Sequence, residues 1–511
     1  MSQRMIKGLL LLAMAWAFPV ASFGQSARDG SPDAPSSPGI SRLENEPTTD
    51  DYESLVRRFQ ELEQRTRELE ELNQVTGSQT DAQAISIRTP NWVDSDAETS
   101  PLIPASTDKP TLKINGRIHL DNWSFANDSE GIHFFENPDT GADPEDRVFF
   151  RRVRLKFEGD VNDNMLYRMQ FDVHSPGEGE MKDIYIGFKD LPFLQKLLIG
   201  NQKRPLGLDH LNSSRFNVFI ERPLVVEAFN EDARRLGIAS DGTNEDQSYH
   251  WRYGVFAMEN MVDDGEIIGD SRQWSVNVRL AASPWYDDSS GGRGYFHWAV
   301  SGMVARPDGD ASIRDKNRNE GRFRTRAELR SDARWLNTFR IPGAEWYEIL
   351  GMESILNIGP FQAVGEYQVN WMQRDNTTAR TGPDLFFHGA YVYLAYMLTG
   401  EHVPYERKSG TIGRVTPFEN FFLVDNCGTD DACSGWGAWQ LALRYSYLDL
   451  TDADIAGGVE NNLTAGLVWY MNANSSLQLN AIYGDIRARA PASGFTDGHF
   501  TAIGTRFRVN F

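Results

Sequence analysis

The stretch "RVFFRRVRLKFEGD", residues 147–160, alternates basic and apolar side chains. Its second half places Arg152, Arg154 and Lys156 at every other position, with Val153, Leu155 and Phe157 between them. A β-strand points successive side chains to opposite faces, so this segment has one basic and one apolar face. In a soluble sheet the apolar face would meet a core. In a membrane barrel it would meet lipid, and the basic face would line a water-filled lumen.

The bulk composition narrows the class of protein. The chain has 511 residues, a net charge of -21, 13 Trp, 17 Tyr and 29 Phe. No internal stretch approaches the ~18 apolar residues of a transmembrane helix. The acidic balance excludes a nucleic-acid partner and complicates the attraction of anions. The aromatic content suits the interfacial girdles of a membrane barrel.

The first residues have the pattern of a secretory signal, predicted to span residues 1–24. Arg4 and Lys7 form a basic start, residues 8–20 are apolar, and cleavage is expected after Gly24. An uncleaved anchor helix is the alternative, but the apolar run is short for a membrane span. We therefore expect the mature chain in the bacterial outer membrane.

Three further segments precede the main domain. Residues 25–50 are rich in Ser, Pro, Asp and Gly, which is typical of disorder. Residues 51–74 repeat Leu55, Leu62 and Leu69 every seven positions, which predicts a short coiled-coil helix. An oligomerising stalk is favoured over a lone amphipathic helix packed on the main domain. Residues 75–110 are polar and Pro-containing, as in a linker.

Residues 111–511 show repeated alternating segments of about ten residues separated by turn residues. Examples are "LKINGRIHLDNWSF", "MLYRMQFDV", "AWQLALRYSYL" and the final "HFTAIGTRFRVNF". The chain stops at Phe511, and an alternating strand ending on Phe resembles the assembly signal of bacterial outer-membrane proteins. The prediction is an all-β, transmembrane antiparallel β-barrel of about 16 strands, with 18 and a soluble β-sandwich as alternatives.

The two cysteines lie in "CGTDDAC", at Cys427 and Cys433. In an exported chain this spacing favours a small disulfide loop. Two thiolates with no nearby histidine would be half a zinc site, so neither a metal nor a cofactor is predicted.

The polar faces of a sixteen-stranded barrel would line an aqueous channel. Arg152, Arg154 and Lys156 would then form a row of positive charge with a spacing of about 6.6 Å, along which an anion could step. The alternative is that such cations pair with carboxylates that help the barrel hold its shape. Those carboxylates are Glu158, Asp160, Asp172 and Glu328.

A second basic row occurs in "GRFRTRAELR", residues 321–330. Thr325 and Ala327 make its other face less lipid-like, so a loop hairpin is the alternative to a wall strand. Because Arg forks match phosphate oxygens bidentately, a phosphorylated or polyanionic solute is a reasonable candidate.

The stretch "IGNQKRPLGLDHLNSSRFNVFIERPLVVEAFNEDARRLGIASDG", residues 199–242, resembles the phosphate-selective porin O and P family. The matching residues are Gly200, Lys203, Pro205, Gly207, Leu208, Ser213, Ser214, Arg215, Glu221, Arg222, Arg235, Gly237 and Ile238. The resemblance implies a homotrimeric, sixteen-stranded outer-membrane channel in lipid. It also implies that one loop, expected at residues 205–226, folds inward, and that lysines and arginines bind phosphate.

The predicted function is passive diffusion of small anions, such as phosphate or polyphosphate. The candidate anion-binding residues are Arg152, Arg154, Lys156, Lys113, Arg117, Arg168, Lys189, Lys203, Arg204, Arg215, Arg222, Arg322, Arg324 and Arg326. A general or cation-preferring porin is one alternative. A plugged structural barrel whose coiled coil contacts the cell wall is another. No enzyme is predicted, because His119, His174 and Ser175 lack the tight spacing of a known catalytic motif.

Overall fold

The structure is a computed structural model. It describes residues 110–511 apart from residues 176–177, 232, 262–267, 269–272, 309–318, 376–381 and 422–434. The predicted signal peptide, disordered segment, coiled coil and linker up to residue 109 lie outside the described residues, as does the predicted Cys427–Cys433 disulfide.

Sixteen long strands of the described residues form one closed antiparallel barrel. These are β1 Lys113–Asp128, β2 Arg147–Asn162, β3 Met165–Ser175, β4 Glu178–Leu191, β5 Gln195–Lys203, β6 Arg234–Thr243, β7 Tyr249–Ala257, β8 Trp274–Tyr286, β9 Gly294–Arg306, β12 Ala344–Ile358, β13 Phe361–Arg374, β14 Leu385–Met397, β17 Ala438–Asp452, β18 Ile455–Tyr470, β19 Ser475–Arg489 and β20 Gly498–Asn510. Closure occurs where β1 pairs with β20, with Arg117 opposite Asn510. The predicted count of sixteen is confirmed.

Short elements lie in the connections between these strands. They are β10 Arg324–Thr325, β11 Leu336–Asn337, β15 Tyr405–Glu406, β16 Thr411–Ile412, α1 Glu130–Glu136, α2 Leu208–Leu211, α3 Leu224–Phe229 and a 3₁₀ turn at Asp288–Ser290. None of the described helices has the length and apolar character needed to cross a bilayer.

The two-residue periodicity sorts side chains between the outside and the inside of the barrel. On β17, Leu443 is 50% exposed whereas the next residue, Arg444, is 1% exposed. The final strand behaves in the same way, with Phe507 outside and Arg506 inside. A closed barrel pairs every strand edge, which hydrocarbon requires because it offers no hydrogen bonds to the backbone. The alternation therefore separates an apolar exterior from a polar lumen.

The strand connections differ between the two ends of the barrel. We call the end where β1 begins and β20 ends the terminal end. Its connections are short, as in the two residues between β2 and β3, except for residues 398–437 between β14 and β17. The opposite end carries long connections at residues 129–146, 204–233, 258–273 and 307–343.

The segment 204–231 crosses the lumen. The backbone N–H groups of Leu208 and Asp209 donate to the Glu366 carboxylate on β13, at 2.9 and 2.7 Å. Gly207 has a φ of +76°, and a Cβ there would lie 2.6 Å from Glu366 Oε2. Farther along, Gln478 on β19 donates to the Val218 carbonyl at 2.8 Å. The predicted inward loop at residues 205–226 falls within this segment.

Two more segments enter the lumen. In segment 319–341, the Trp335 indole donates to Glu136 at 2.8 Å and its ring packs on Phe500 at 5.0 Å. In segment 398–421, which comes from the terminal end, the Tyr405 ring stacks on Tyr295 at 5.1 Å. The hairpin alternative for residues 321–330 is confirmed, since β10 pairs with β11.

The three segments fill one side of the lumen with an apolar core. Phe219 packs on Tyr393 of β14, and Phe323 packs on Tyr347 of β12, with ring centroids 5.6 and 5.4 Å apart. Leu206, Leu208 and Leu224 are also fully buried there. The open part of the lumen consequently lies against the remaining strands.

Candidate functional site: a cationic lumen

The main cavity runs between the inner faces of β1–β7 and the three inward segments, with a volume of about 1050 Å³. Thr111 and Asp160 line it at the terminal end, and His174 and Glu180 line it near the opposite end. The cavity therefore extends along the barrel axis on the side that the apolar core leaves open.

The described lining of this cavity is strongly cationic. It contains nineteen Lys and Arg but only nine Asp and Glu. The whole chain has the opposite balance, with a net charge of -21. The acidic excess therefore lies away from the cavity, and the local charge is the one that a passing ion meets first.

A β-bulge adds a cation to the predicted row. On β1, His119 lies opposite Arg152 but the next residue, Leu120, lies opposite Phe150, so Arg151 has no partner in the ladder. The side chains of Arg151 and Arg152 both line the cavity. The bulge also keeps Phe150 on the lipid side, because it changes the alternation within the strand.

Glu221 of segment 204–231 is the main acidic contact of this region. Its carboxylate lies 2.9 Å from Arg151 Nε and 2.8 Å from Arg506 Nη2. Burial alone would raise the pKa of Glu221. The charges of Arg151, Arg506 and Arg152 outweigh burial and hold the pKa of Glu221 well below its ordinary value. Glu221 thus stays ionised and ties the segment to the wall.

Most of the candidate residues line the cavity. They are Arg152, Arg154, Lys156, Lys113, Arg117, Arg168, Lys203, Arg215, Arg222, Arg324 and Arg326. Three candidates lie outside its lining: Lys189 binds Asp160 at 2.7 Å, Arg322 lies 4.0 Å from Glu231, and Arg204 is buried.

Several lining cations have carboxylate partners. Arg154 Nε lies 2.5 Å from Asp172, and Arg168 Nη2 lies 2.7 Å from Glu158, which Lys156 also contacts. For Arg154 and Lys156 of the β2 row, these contacts agree with the alternative interpretation, in which the cations pair with carboxylates of the barrel wall.

Other lining cations are held by neutral groups. Arg117 donates to Ser214 Oγ at 2.8 Å. Lys203 donates to the carbonyls of His210 and Asn212, which close the short helix α2, at 2.7 and 3.0 Å. Neither set of contacts includes a carboxylate, so these contacts do not neutralise the two side chains as an ion pair would.

Arg324, Arg326 and Arg330 of the second basic row also line the cavity, from segment 319–341. Arg324 binds Glu231, and Arg326 Nη1 lies 3.7 Å from Glu227. Burial and the neighbouring cations, Arg151 first, lower the pKa of Arg330 to about 9, which still leaves its guanidinium charged at pH 7. The second row thus comes close to the β2 row at Arg151.

The candidate residues did not include eight of the lining cations. These are Arg151, Lys182, Lys196, Arg234, Arg252, Arg330, Arg334 and Lys408. Arg252 could have been predicted from the sequence, because it alternates with the outward side chains Tyr253 and Val255 on β7. Lys182 could not, because a register shift between β3 and β4 precedes Ile184 and breaks the alternation there.

One group of described residues has ligand types suited to a metal ion. Asp172, His174 and Glu180 bring one ligand atom each within 4.8 Å of one another. Both carboxylates of this group already form ion pairs, Asp172 with Arg154 and Glu180 with Lys182. Their negative charge is therefore balanced by cations of the protein.

Comparison with known proteins agrees with this geometry. The family model described as phosphate-selective porin O and P matches residues 114–511. The chain belongs to this porin family. Its barrel is therefore a porin channel of the outer membrane, and the short turns of the terminal end face the periplasm.

Two curated relatives share most of this porin. Porin O of Pseudomonas aeruginosa is 25% identical over 408 residues, covering 74% of this chain and 84% of the relative. An uncharacterised protein of Caulobacter vibrioides is 26% identical over 369 residues, covering 71% and 68%. Among solved structures, the trimer form of the outer-membrane protein OmpT of Vibrio cholerae is 11% identical with a TM-score of 0.47, covering 79% of this porin and all of that chain.

Proposed function

We propose that this porin is a channel for passive diffusion of small inorganic anions, with phosphate or polyphosphate as the preferred solute. The observation that carries the proposal is the lining of the main cavity, in which nineteen described cations face nine described anions. The family resemblance supports the same solute class.

The arrangement suits transport more than tight binding. The β2 row and the row of segment 319–341 offer many guanidinium groups along one path, several of them already shared with carboxylates. Anions need binding that is favourable enough to enter and weak enough to leave, and a series of partly satisfied sites meets both needs. Arg forks add a preference for oxyanions over halides.

Ion selectivity tests the proposal directly. Purified full-length porin is inserted into a planar bilayer, and the reversal potential is measured under a KCl gradient. We expect the sign of an anion-selective pore and a lower chloride current when phosphate is added. A cation-selective reversal potential would reject the proposal and favour a general or cation-preferring porin.

A plugged structural barrel is the second candidate, favoured by the three segments that enter the lumen and fill one side of it. The same recording separates it from a channel, because a plugged barrel gives no conductance steps. We also propose a homotrimer embedded in outer-membrane lipid. Chemical cross-linking in detergent tests the number of subunits.

A further inference from the structure

A second, much smaller cavity lies at the terminal end of the barrel, beside the main one. Its volume is about 10 Å³, which is room for one water-sized species. Four elements contribute to it: segment 204–231, segment 398–421, the turn between β18 and β19, and β20. Its lining includes Arg215, Phe216, Arg414, Asn474, Ser476 and Arg508.

The described lining of this small cavity contains three arginines and no Asp or Glu. Arg508 is 2% exposed. It donates to the neutral Ser476 Oγ at 2.9 Å and to the Asn217 carbonyl at 3.3 Å, and its side chain also hydrogen-bonds to Tyr470. No described carboxylate lies within ion-pair distance of it. Buried charges in proteins are normally paired, because an uncompensated one is costly.

The other two guanidinium groups are also held by neutral groups. Arg414 donates to Asn474 Oδ1 and lies 5.9 Å from the centre of the Phe216 ring. Arg215 donates to Asn115 Oδ1 at 2.9 Å and to the Gly116 carbonyl at 3.2 Å. Burial and the positive charge of Arg414 lower the pKa of Arg215, so the cations repel one another.

We propose that this cavity binds a single small inorganic anion of halide size, held by Arg508 and Arg414 with Arg215 at its edge. The anion supplies the missing negative charge. The cavity is too small for phosphate, whereas a halide is close in size to the water molecule that the space admits. This site lies beside the path of the proposed solute, with which it shares Arg215 and Phe216, and it does not depend on the selectivity of the main cavity.

Binding at this place has a structural consequence. The four contributing elements come from different parts of the sequence and are brought together around this cavity, at the periplasmic end. Arg215 and Phe216 line both cavities. The bound anion therefore fixes the tip of segment 204–231 against β20 and segment 398–421, beside the exit of the main cavity.

Anomalous scattering from bromide tests the proposal. Crystals of the full-length porin are grown in NaBr and measured at the bromine absorption edge. We expect a peak between Arg508 and Arg414, and its loss in Arg508→Met. In Arg487→Met, an exposed arginine near the opposite end of β19, the peak is expected to remain.

Absence of the wild-type peak overturns the proposal, as does a peak that persists in Arg508→Met. If Arg508→Met does not fold, Arg414→Met, which changes a half-buried loop residue, serves as the second variant and should weaken the peak. Bromide peaks in the main cavity without one here would reject this site and leave the proposed anion channel standing. A peak between Arg508 and Arg414 in a pore that proves cation-selective would support this site and reject the proposed anion channel.

Discussion

Arg151 Nε lies 2.9 Å from Glu221 Oε1, which joins the barrel wall to the segment that crosses its lumen. The contact exists because the bulge opposite His119 and Leu120 turns Arg151 toward the inside. One residue therefore adds positive charge to the cavity and also anchors the segment that narrows it.

We expect Arg151→Ala to lower the preference for anions over cations. One unit charge about 8 Å from the ion path is worth about 0.5 kcal/mol in a water-like dielectric. Because this energy acts on anions and cations in opposite directions, the permeability ratio should change at least about twofold. Reversal potentials in KCl gradients measure it. Arg147→Ala is the matched control, since Arg147 lies on the same strand, binds Asp332 and does not line the cavity. An unchanged permeability ratio in Arg151→Ala would contradict the expectation.

A larger effect is expected when Arg152 and Arg154 are both replaced by Ala. Two charges are removed and Asp172 loses its partner at 2.5 Å, so the anion preference should fall about fivefold or more on the same Coulomb estimate. Inhibition of chloride current by phosphate should weaken as well. Arg147→Ala, which removes a cation of the same strand outside the cavity lining, should leave both measurements close to wild type. Equal effects of the double variant and the control would count against the β2 row.

The effect of Glu221→Gln should not depend on pH between 8 and 5. The cations around Glu221 hold its pKa well below the ordinary value, so wild-type Glu221 keeps its charge throughout this range. The amide variant removes one negative charge and should raise anion preference by the same factor at each pH. If the difference between the two proteins disappeared as pH fell to 5, Glu221 would be protonated there. The measurement is a pair of reversal potentials at each pH.

We expect Glu353→Gln to loosen segment 398–421. Glu353 is buried between Arg279, at 3.1 Å, and His297, at 3.0 Å. Arg279 in turn donates to the Gly410 carbonyl at 2.7 Å. Breaking a buried charge pair costs about 3–5 kcal/mol, so unfolding in detergent should occur at lower denaturant concentration.

Single-channel conductance of Glu353→Gln should also rise, because this segment would be held less firmly where it lines the main cavity. The lining residues of the segment are Glu406, Lys408, Ser409, Thr411 and Ile412. Glu348→Gln is the control on the same strand. Glu348 accepts a hydrogen bond from Gln373 at 2.8 Å, and its replacement should change neither measurement. Wild-type stability and conductance in Glu353→Gln would show that the buried pair does not position the segment.

The barrel itself could be predicted from the sequence because lipid imposes a strict period of two. Leu443 and Arg444 are neighbours in the chain and lie on opposite sides of the wall, as the alternation requires. The family resemblance added the inward loop at residues 205–226. Arg152, Arg154 and Lys156 line the main cavity, on the face of β2 that the alternation assigns to the polar side chains.

The details of the site depend on contacts that periodicity does not contain. Arg151 enters the cavity through a bulge, and Lys182 through a register shift, and each breaks the alternation locally. Arg322 belongs to a loop, and its contact with Glu231 is fixed by two segments about ninety positions apart. Which side of the lumen stays open was also beyond prediction, since it depends on where Phe219 and Phe323 pack.

The one-sided apolar filling of the lumen divides the inner wall into two regimes of substitution tolerance. Inward positions of β12 and β14, such as Tyr347 and Tyr393, are packed like the interior of a soluble protein. The volume and shape of a new side chain should decide whether a substitution is tolerated there. Inward positions of β2 and β3 face water, so the charge of a new side chain should decide whether a substitution is tolerated and its size should matter little. A saturation mutagenesis map of this porin should therefore show steric intolerance along one half of its circumference and electrostatic intolerance along the other.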